Sequence, residues 1–185
     1  MKNIFNLMLV LFASVLILSC RNSDDIPEDI HEHEEIEKVV LTLTEQGTAN
    51  VQTINYIGGS ADSNVNLVNG KVYDVSLDFQ HKHGDHYESM LSEIEEEKDE
   101  HFITYDFAGI LVNVVRTSGD IVRTDGKKLG LKTQWTVTSS GVNAKVNVKL
   151  FHGSTAVNDQ FPSAANQLGT VTGGEADVNA MFSVQ

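Results

Sequence analysis

Tyr73-Asp74-Val75-Ser76-Leu77-Asp78-Phe79-Gln80 decides how this chain is read. Its odd positions are apolar and its even positions polar, the period of two that belongs to a half-buried antiparallel strand. Seven more runs carry the same character: residues 39–43, 51–57, 102–107, 110–116, 132–138 around Trp135, 144–151 and 176–184. Gly58-Gly59, Asn69-Gly70, Asp125-Gly126 and Gly173-Gly174 punctuate them with turn chemistry. Eight short strands joined in this way make a sandwich or a small barrel. We expect an all-β fold, an antiparallel β-sandwich (Ig-like) of about eight strands, with Trp135 and Val137 on inward parity.

Residues 88–100 break the alternation. Met90, Leu91 and Ile94 recur there at helical spacing among Glu93, Glu95, Glu96, Glu97, Lys98, Asp99 and Glu100. This predicts one short acidic, amphipathic helix inserted between the third and fourth strands. Its acids crowd toward the C-terminal end, where the helix dipole opposes them. A solvated face is the usual reason for such a charge run. The histidines around it give a second reading.

Five histidines follow the first strands: His81, His83, His86, His101 and His152. His81 and His83 continue the inward parity of Phe79 just past the apolar layer, and His101 opens the fourth strand in register with Ile103, Tyr105 and Phe107. Glu93, Glu97 and His101 stand at four-residue intervals, one above the other if the helix extends that far. In the seventh strand the parity of Val146, Val148 and Leu150 continues to His152. If strand direction reverses at each connection, all of these meet at one pole. A tight turn at Ala108-Gly109 keeps His152 there, whereas a bulge sends it to the opposite pole. Imidazoles with carboxylates and no thiolate suit zinc, copper or nickel, zinc being the first expectation. The expected metal set is therefore His81, His83, His86, His101, Glu97, Glu93 and His152.

With 185 residues, one domain can bury its own core without disulfide or metal staples. The formal charge of −13 argues against a phosphate-neutralising surface, so no nucleic-acid partner is expected, and it favours cations. There is no Gly-x-Ser-x-Gly elbow, phosphate-cradling loop, His-Glu-x-x-His helix or dinucleotide fingerprint. Asp120 and Asp125 flank a hairpin turn without the regular spacing of a calcium loop. A metallohydrolase needs only three protein ligands and an open position, but a binding protein rather than an enzyme is the expectation.

The N-terminus reads as an address. Lys2 precedes an uncharged apolar run from Ile4 to Leu18, shorter than the ~20 residues a spanning helix needs. Ile17-Leu18-Ser19-Cys20 resembles the bacterial lipobox, which implies a signal peptide over 1–19 and an acylated Cys20 as lipid anchor in the membrane. Cys20 is the only cysteine, so no intramolecular disulfide forms. Residues 20–37 read as an acidic flexible tether, leaving 38–185 as the domain. Ser23-Asp24-Asp25 resembles the acidic tripeptide that sends some bacterial lipoproteins to the outer face of the outer membrane. His31 and His33, alternating with Glu32, Glu34 and Glu35, have the composition of a weak accessory metal sponge.

Three further stretches, Glu93 to His101, Leu129-Gly130-Leu131-Lys132-Thr133 and Asp177 to Gln185, complete a layout similar to a family of small all-β lipoproteins of Gram-negative bacteria. The resemblance implies an outer-membrane lipoprotein, periplasm-facing or at the cell surface, associated with a TonB-dependent receptor. The functional expectation is a cell-envelope lipoprotein that binds a divalent metal as a scavenging or hand-over accessory to that receptor. The alternatives are a metal-independent adaptor docked through the acidic helix and, third, haem capture by a histidine pair.

Overall fold

The computed structural model describes residues 35–139, 141–160 and 167–185. The expected signal peptide, Cys20 and the tether histidines His31 and His33 lie outside them. Among the described residues, no helix is long and apolar enough to cross a membrane.

The eight expected strands form as β1 (Lys38–Glu45), β2 (Val51–Ile57), β4 (Val72–His83), β6 (Phe102–Ala108), β7 (Leu111–Arg116), β8 (Lys132–Ser139), β9 (Lys145–His152) and β13 (Glu175–Ser183). Five short strands join them: β3 (Ser60–Ala61), β5 (His86–Ser89), β10 (Ala156–Asn158), β11 (Gln167–Leu168) and β12 (Thr170–Thr172). One sheet runs in the order β3-β2-β1-β4-β8-β7, with β5 hairpinned onto β4, a second runs β11-β6-β9-β13, and β10 pairs with β12 in a separate two-stranded sheet. Every strand pairing within these sheets is antiparallel. The architecture is an all-β sandwich.

Alternation becomes burial. Tyr73, Val75, Leu77 and Phe79 of β4 are all buried, as are Val146, Val148 and Leu150 of β9 from the facing sheet. Trp135 of β8 is wholly enclosed and meets Tyr105 and Phe107 of β6 edge-on, with ring centroids 5.7 and 5.1 Å apart. Such edge-to-face contacts add about 0.5–1.5 kcal/mol each beyond the area buried. The indole N–H donates to the buried Thr133 hydroxyl at 2.9 Å, so the core leaves this polar atom satisfied.

The Ala108-Gly109 step ends one strand and starts the next rather than bulging a continuous one, as the turn reading expects, but β6 and β7 belong to different sheets, and the chain turns a corner between them. Gly109 sits at φ 70°, and a Cβ there would come within 3.2 Å of the Val142 carbonyl oxygen and the Ala144 Cα, so the corner requires glycine. The residues just before β1 also touch the sandwich. Ile36 packs against the core, and the Glu37 N–H donates to the Gln80 carbonyl at 3.0 Å.

The helix α1 spans only Leu91–Glu96, against the expected 88–100. At its start, Glu88 and Ser89 pair with His81 and Gln80 as strand, and the Met90 N–H donates to the Phe79 carbonyl at 2.8 Å. At its end, Arg123 reaches in and donates from Nη1 to the carbonyls of Lys98 (3.0 Å) and His101 (2.6 Å). Asp99 accepts the Thr124 N–H (2.8 Å) and hydroxyl (2.7 Å). The acidic residues after Glu96 are thus drawn into turn contacts, where a helix would have set them against its own dipole.

Gly130, in the Leu129-Gly130-Leu131 stretch, makes room for a buried arginine. Arg116 lies over the Phe102 ring at 4.6 Å and donates from Nη2 to the Ile103 carbonyl at 2.7 Å. A Cβ on Gly130, whose φ is 107°, would fall 1.9 Å from Arg116 Nη1. Asp120 accepts the N–H groups of Gly130 (2.7 Å), Ile121 (3.0 Å) and Lys132 (3.1 Å), and desolvation pushes its carboxyl above the usual range. Asp120 therefore organises a loop, as the turn reading expects.

Candidate metal centre

The hairpin from β4 to β5 brings four of the metal-capable side chains onto one face. Its two-residue turn is Gly84-Asp85, with Gly84 at φ 65°, the conformation that a primed hairpin turn asks of its first central residue. The register pairs His83 with His86 and His81 with Glu88. Directly opposite residues share a face, and so do residues two apart along a strand. His81, His83, His86 and Glu88 therefore form a square on a single side of the ribbon.

Glu88 is the hub of that square. Its Oε1 lies 2.8 Å from His86 Nε2 and 3.3 Å from His83 Nδ1, and its Oε2 lies 3.6 Å from His81 Nε2. Hydrogen bonds from His86 and then His83 hold the Glu88 carboxyl below its ordinary value. Glu88, and after it Asp85 at 3.4 Å, raises the proton affinity of His86. One ligand atom from each of His83, His86 and Glu88 falls within 4.8 Å of the other two. A tetrahedral ion with bonds of ~2.1 Å sets its ligands about 3.4 Å apart, so side-chain rotation of about 1 Å would close this shell. His83 and His86 are well exposed, and a shallow depression of about 460 Å³ bounded by Glu35, Glu37, His81, His83 and Glu88 adjoins them.

The remaining expected ligands gather separately. Phe102 of β6 pairs with Phe151 of β9, which sets His101 beside His152 just past the ladder's end. Their rings stack with centroids 4.8 Å apart and 17° between planes. His101 is buried, its Nδ1 lying 3.2 Å from the Glu97 carbonyl, while His152 Nε2 lies 3.0 Å from Glu100 Oε2. Burial, and secondarily His152, lowers the proton affinity of His101. Ligand atoms of Glu97, His101 and His152 lie within 4.8 Å of one another.

The single cluster expected at one pole is thus two groups. His81, His83 and His86 converge on Glu88, whereas His101 and His152 join Glu97. Glu93 belongs to neither group of mutually close ligands; its carbonyl accepts the Glu97 N–H at 2.9 Å inside α1. Sequence reasoning missed Glu88 and Glu100. The signal for Glu88 was present: His-x-His and His-x-Glu stand symmetrically about Gly84-Asp85, and a two-residue turn there dictates their pairing. Glu100 has no comparable signal, because its approach to His152 depends on how the helix ends.

No family model, curated protein or solved structure matches this chain.

Proposed function

We propose that this chain is a cell-envelope lipoprotein that captures a divalent transition metal, zinc first among the candidates, on the β4–β5 hairpin. It would serve as a scavenging or hand-over accessory to an outer-membrane receptor. The observation that carries the reading is the convergence of three imidazoles on the Glu88 carboxylate. Neutral imidazole and carboxylate are ligands for a borderline cation, and Glu88 supplies the negative charge that favours it. Exposure suits exchange: an ion held at a hairpin tip remains within reach of a partner, unlike one enclosed by a folding core. The envelope location rests on the lipobox resemblance at Ile17-Leu18-Ser19-Cys20, and the receptor on the family resemblance of the layout.

Zinc titration by calorimetry at pH 7.5 tests the proposal. Replacing His83 or His86 with alanine should weaken binding at the hairpin at least tenfold, since the ion loses one ligand of a small shell. Unchanged binding in the His83→Ala/His86→Ala double variant would leave the hairpin without a metal role and favour the metal-independent adaptor.

A further inference from the structure

The group beyond the hairpin has the features of a site of a different kind. Its residues come from three elements: Glu97 from the cap of α1, His101 one turn further on at the entry to β6, and His152, far along the chain, from the end of β9. Each imidazole also has a defined outer contact. An N–H on His101 Nδ1 donates to the Glu97 carbonyl, which places the lone pair on Nε2. An N–H on His152 Nε2 donates to the Glu100 carboxylate, which places the lone pair on Nδ1. A second nitrogen committed to a carbonyl or carboxylate is the arrangement that orients histidine ligands around a metal and raises their basicity. Asp177 stands where the β9–β13 register shifts between Ala176 and Val178, and its charge acts on His101, adding negative potential.

We propose that Glu97, His101 and His152 form a second zinc site, in which the ion locks the turn after α1 onto the β6–β9 ladder. His101 would coordinate through Nε2, His152 through Nδ1, and Glu97 through its carboxylate, leaving one position for water. The site goes beyond the hairpin reading and does not depend on it. The two also differ in consequence. Hairpin ligands span eight residues already closed by a tight turn, so an ion there adds little constraint. Ligands drawn from α1, β6 and β9 exist together only in the folded sandwich, so an ion bound to them stabilises the fold through mass action.

The test uses the purified protein, zinc as the probe, and two readouts: zinc bound per chain and the melting temperature. The His83→Ala/His86→Ala variant should still bind one zinc per chain. At a hundredfold excess over Kd, that zinc should raise Tm by about 5–10 °C. Adding His152→Ala should abolish both the remaining zinc and the shift. Glu97→Gln, a near-isosteric change at a half-exposed position, should weaken both while leaving the Tm of the metal-free protein near that of wild type. If the hairpin variant binds no zinc, or binds it without a change in Tm, the second site is overturned and the hairpin reading stands. If wild-type stoichiometry survives His152→Ala and Glu97→Gln, it is likewise overturned. Loss of all binding through His152→Ala alone would support this site and contradict the hairpin.

Discussion

His83 and His86 face each other across the turn Gly84-Asp85, ring centroids 5.7 Å apart, and both reach the same oxygen of Glu88. A cross-strand pair of this kind has its separation set by the ladder, so the ligands are gathered before any ion arrives. The organising element is the carboxylate, without which three imidazoles would share one face unanchored.

Glu88→Gln should therefore weaken zinc binding at the hairpin by tenfold or more while leaving the fold intact, as checked by calorimetry and circular dichroism. Glu88 also raises the proton affinity of His86, so protons compete with zinc from above the ordinary histidine value of 6.5. Wild-type affinity should fall as pH drops through that region. In Glu88→Gln the fall should begin at lower pH, which titrations at pH 8, 7 and 6 would show.

Gly84→Val tests whether the turn aligns the ligands. Nothing lies within 4 Å of a Cβ at that position, so the cost is backbone strain at φ 65° rather than collision. The hairpin tip should splay, zinc affinity should drop severalfold, and global stability should change by no more than ~1–2 kcal/mol. Zinc affinity equal to wild type would show that the ligands do not need the turn.

Metal-free stability should decline on acidification because of His101. Burial holds its proton affinity below the ordinary 6.5, so from that value downward the unfolded chain binds more protons than the native one. Its contribution is whole above 6.5, drains as pH falls toward the lowered folded value, and then levels off. His86 has the opposite sign, its contribution being present below 6.5 and lost as pH rises through its elevated folded value. It is solvent-exposed, so screening leaves His101 dominant. Urea melts at pH 7.5 and 5.5 should show the loss, and His101→Phe should flatten it.

Two core substitutions probe the sandwich itself. Trp135→Ala removes the ring shared by the two sheets and should cost about 3–5 kcal/mol in urea unfolding. Gly130→Ala drives a methyl into the Arg116 guanidinium at an unfavourable φ and should cost at least ~2 kcal/mol. Values within 0.5 kcal/mol of wild type would contradict the packing described.

The long strands are legible because each has one buried and one solvated face, and that contrast is written at period two in Tyr73 to Gln80 and Val146 to Leu150. The short strands are not, since β5 reads His-Tyr-Glu-Ser and owes its form to a register dictated by the turn before it. Helix length is obscured for a related reason. The helical spacing of Met90, Leu91 and Ile94 is real, but the limits come from Asp78, Phe79 and Arg123, which touch the segment only after folding. The site is half legible: histidine parity locates the ligands at strand ends, whereas their division into two groups depends on which sheet each strand joins. His81 and His83 belong to β4 of the large sheet, whereas His101 precedes β6 and His152 ends β9, just past the ladder those two strands make in the facing sheet.

Cys20→Ser should release the processed protein from membranes into the soluble fraction if the lipobox is used, as checked by fractionation with a high-salt wash. Retention of a normally processed Cys20→Ser protein in the membrane pellet would contradict the lipid anchor.

Metal binding by the hairpin histidines can be read from the imidazole nitrogen resonances of His81, His83 and His86 in ¹⁵N-labelled protein, followed from pH 5.5 to 8 with and without a twofold excess of zinc. Zinc is expected to shift one ring nitrogen of His83 and one of His86, with Glu88→Gln reducing both shifts. Imidazole resonances unchanged by zinc at every pH would contradict metal binding at the hairpin.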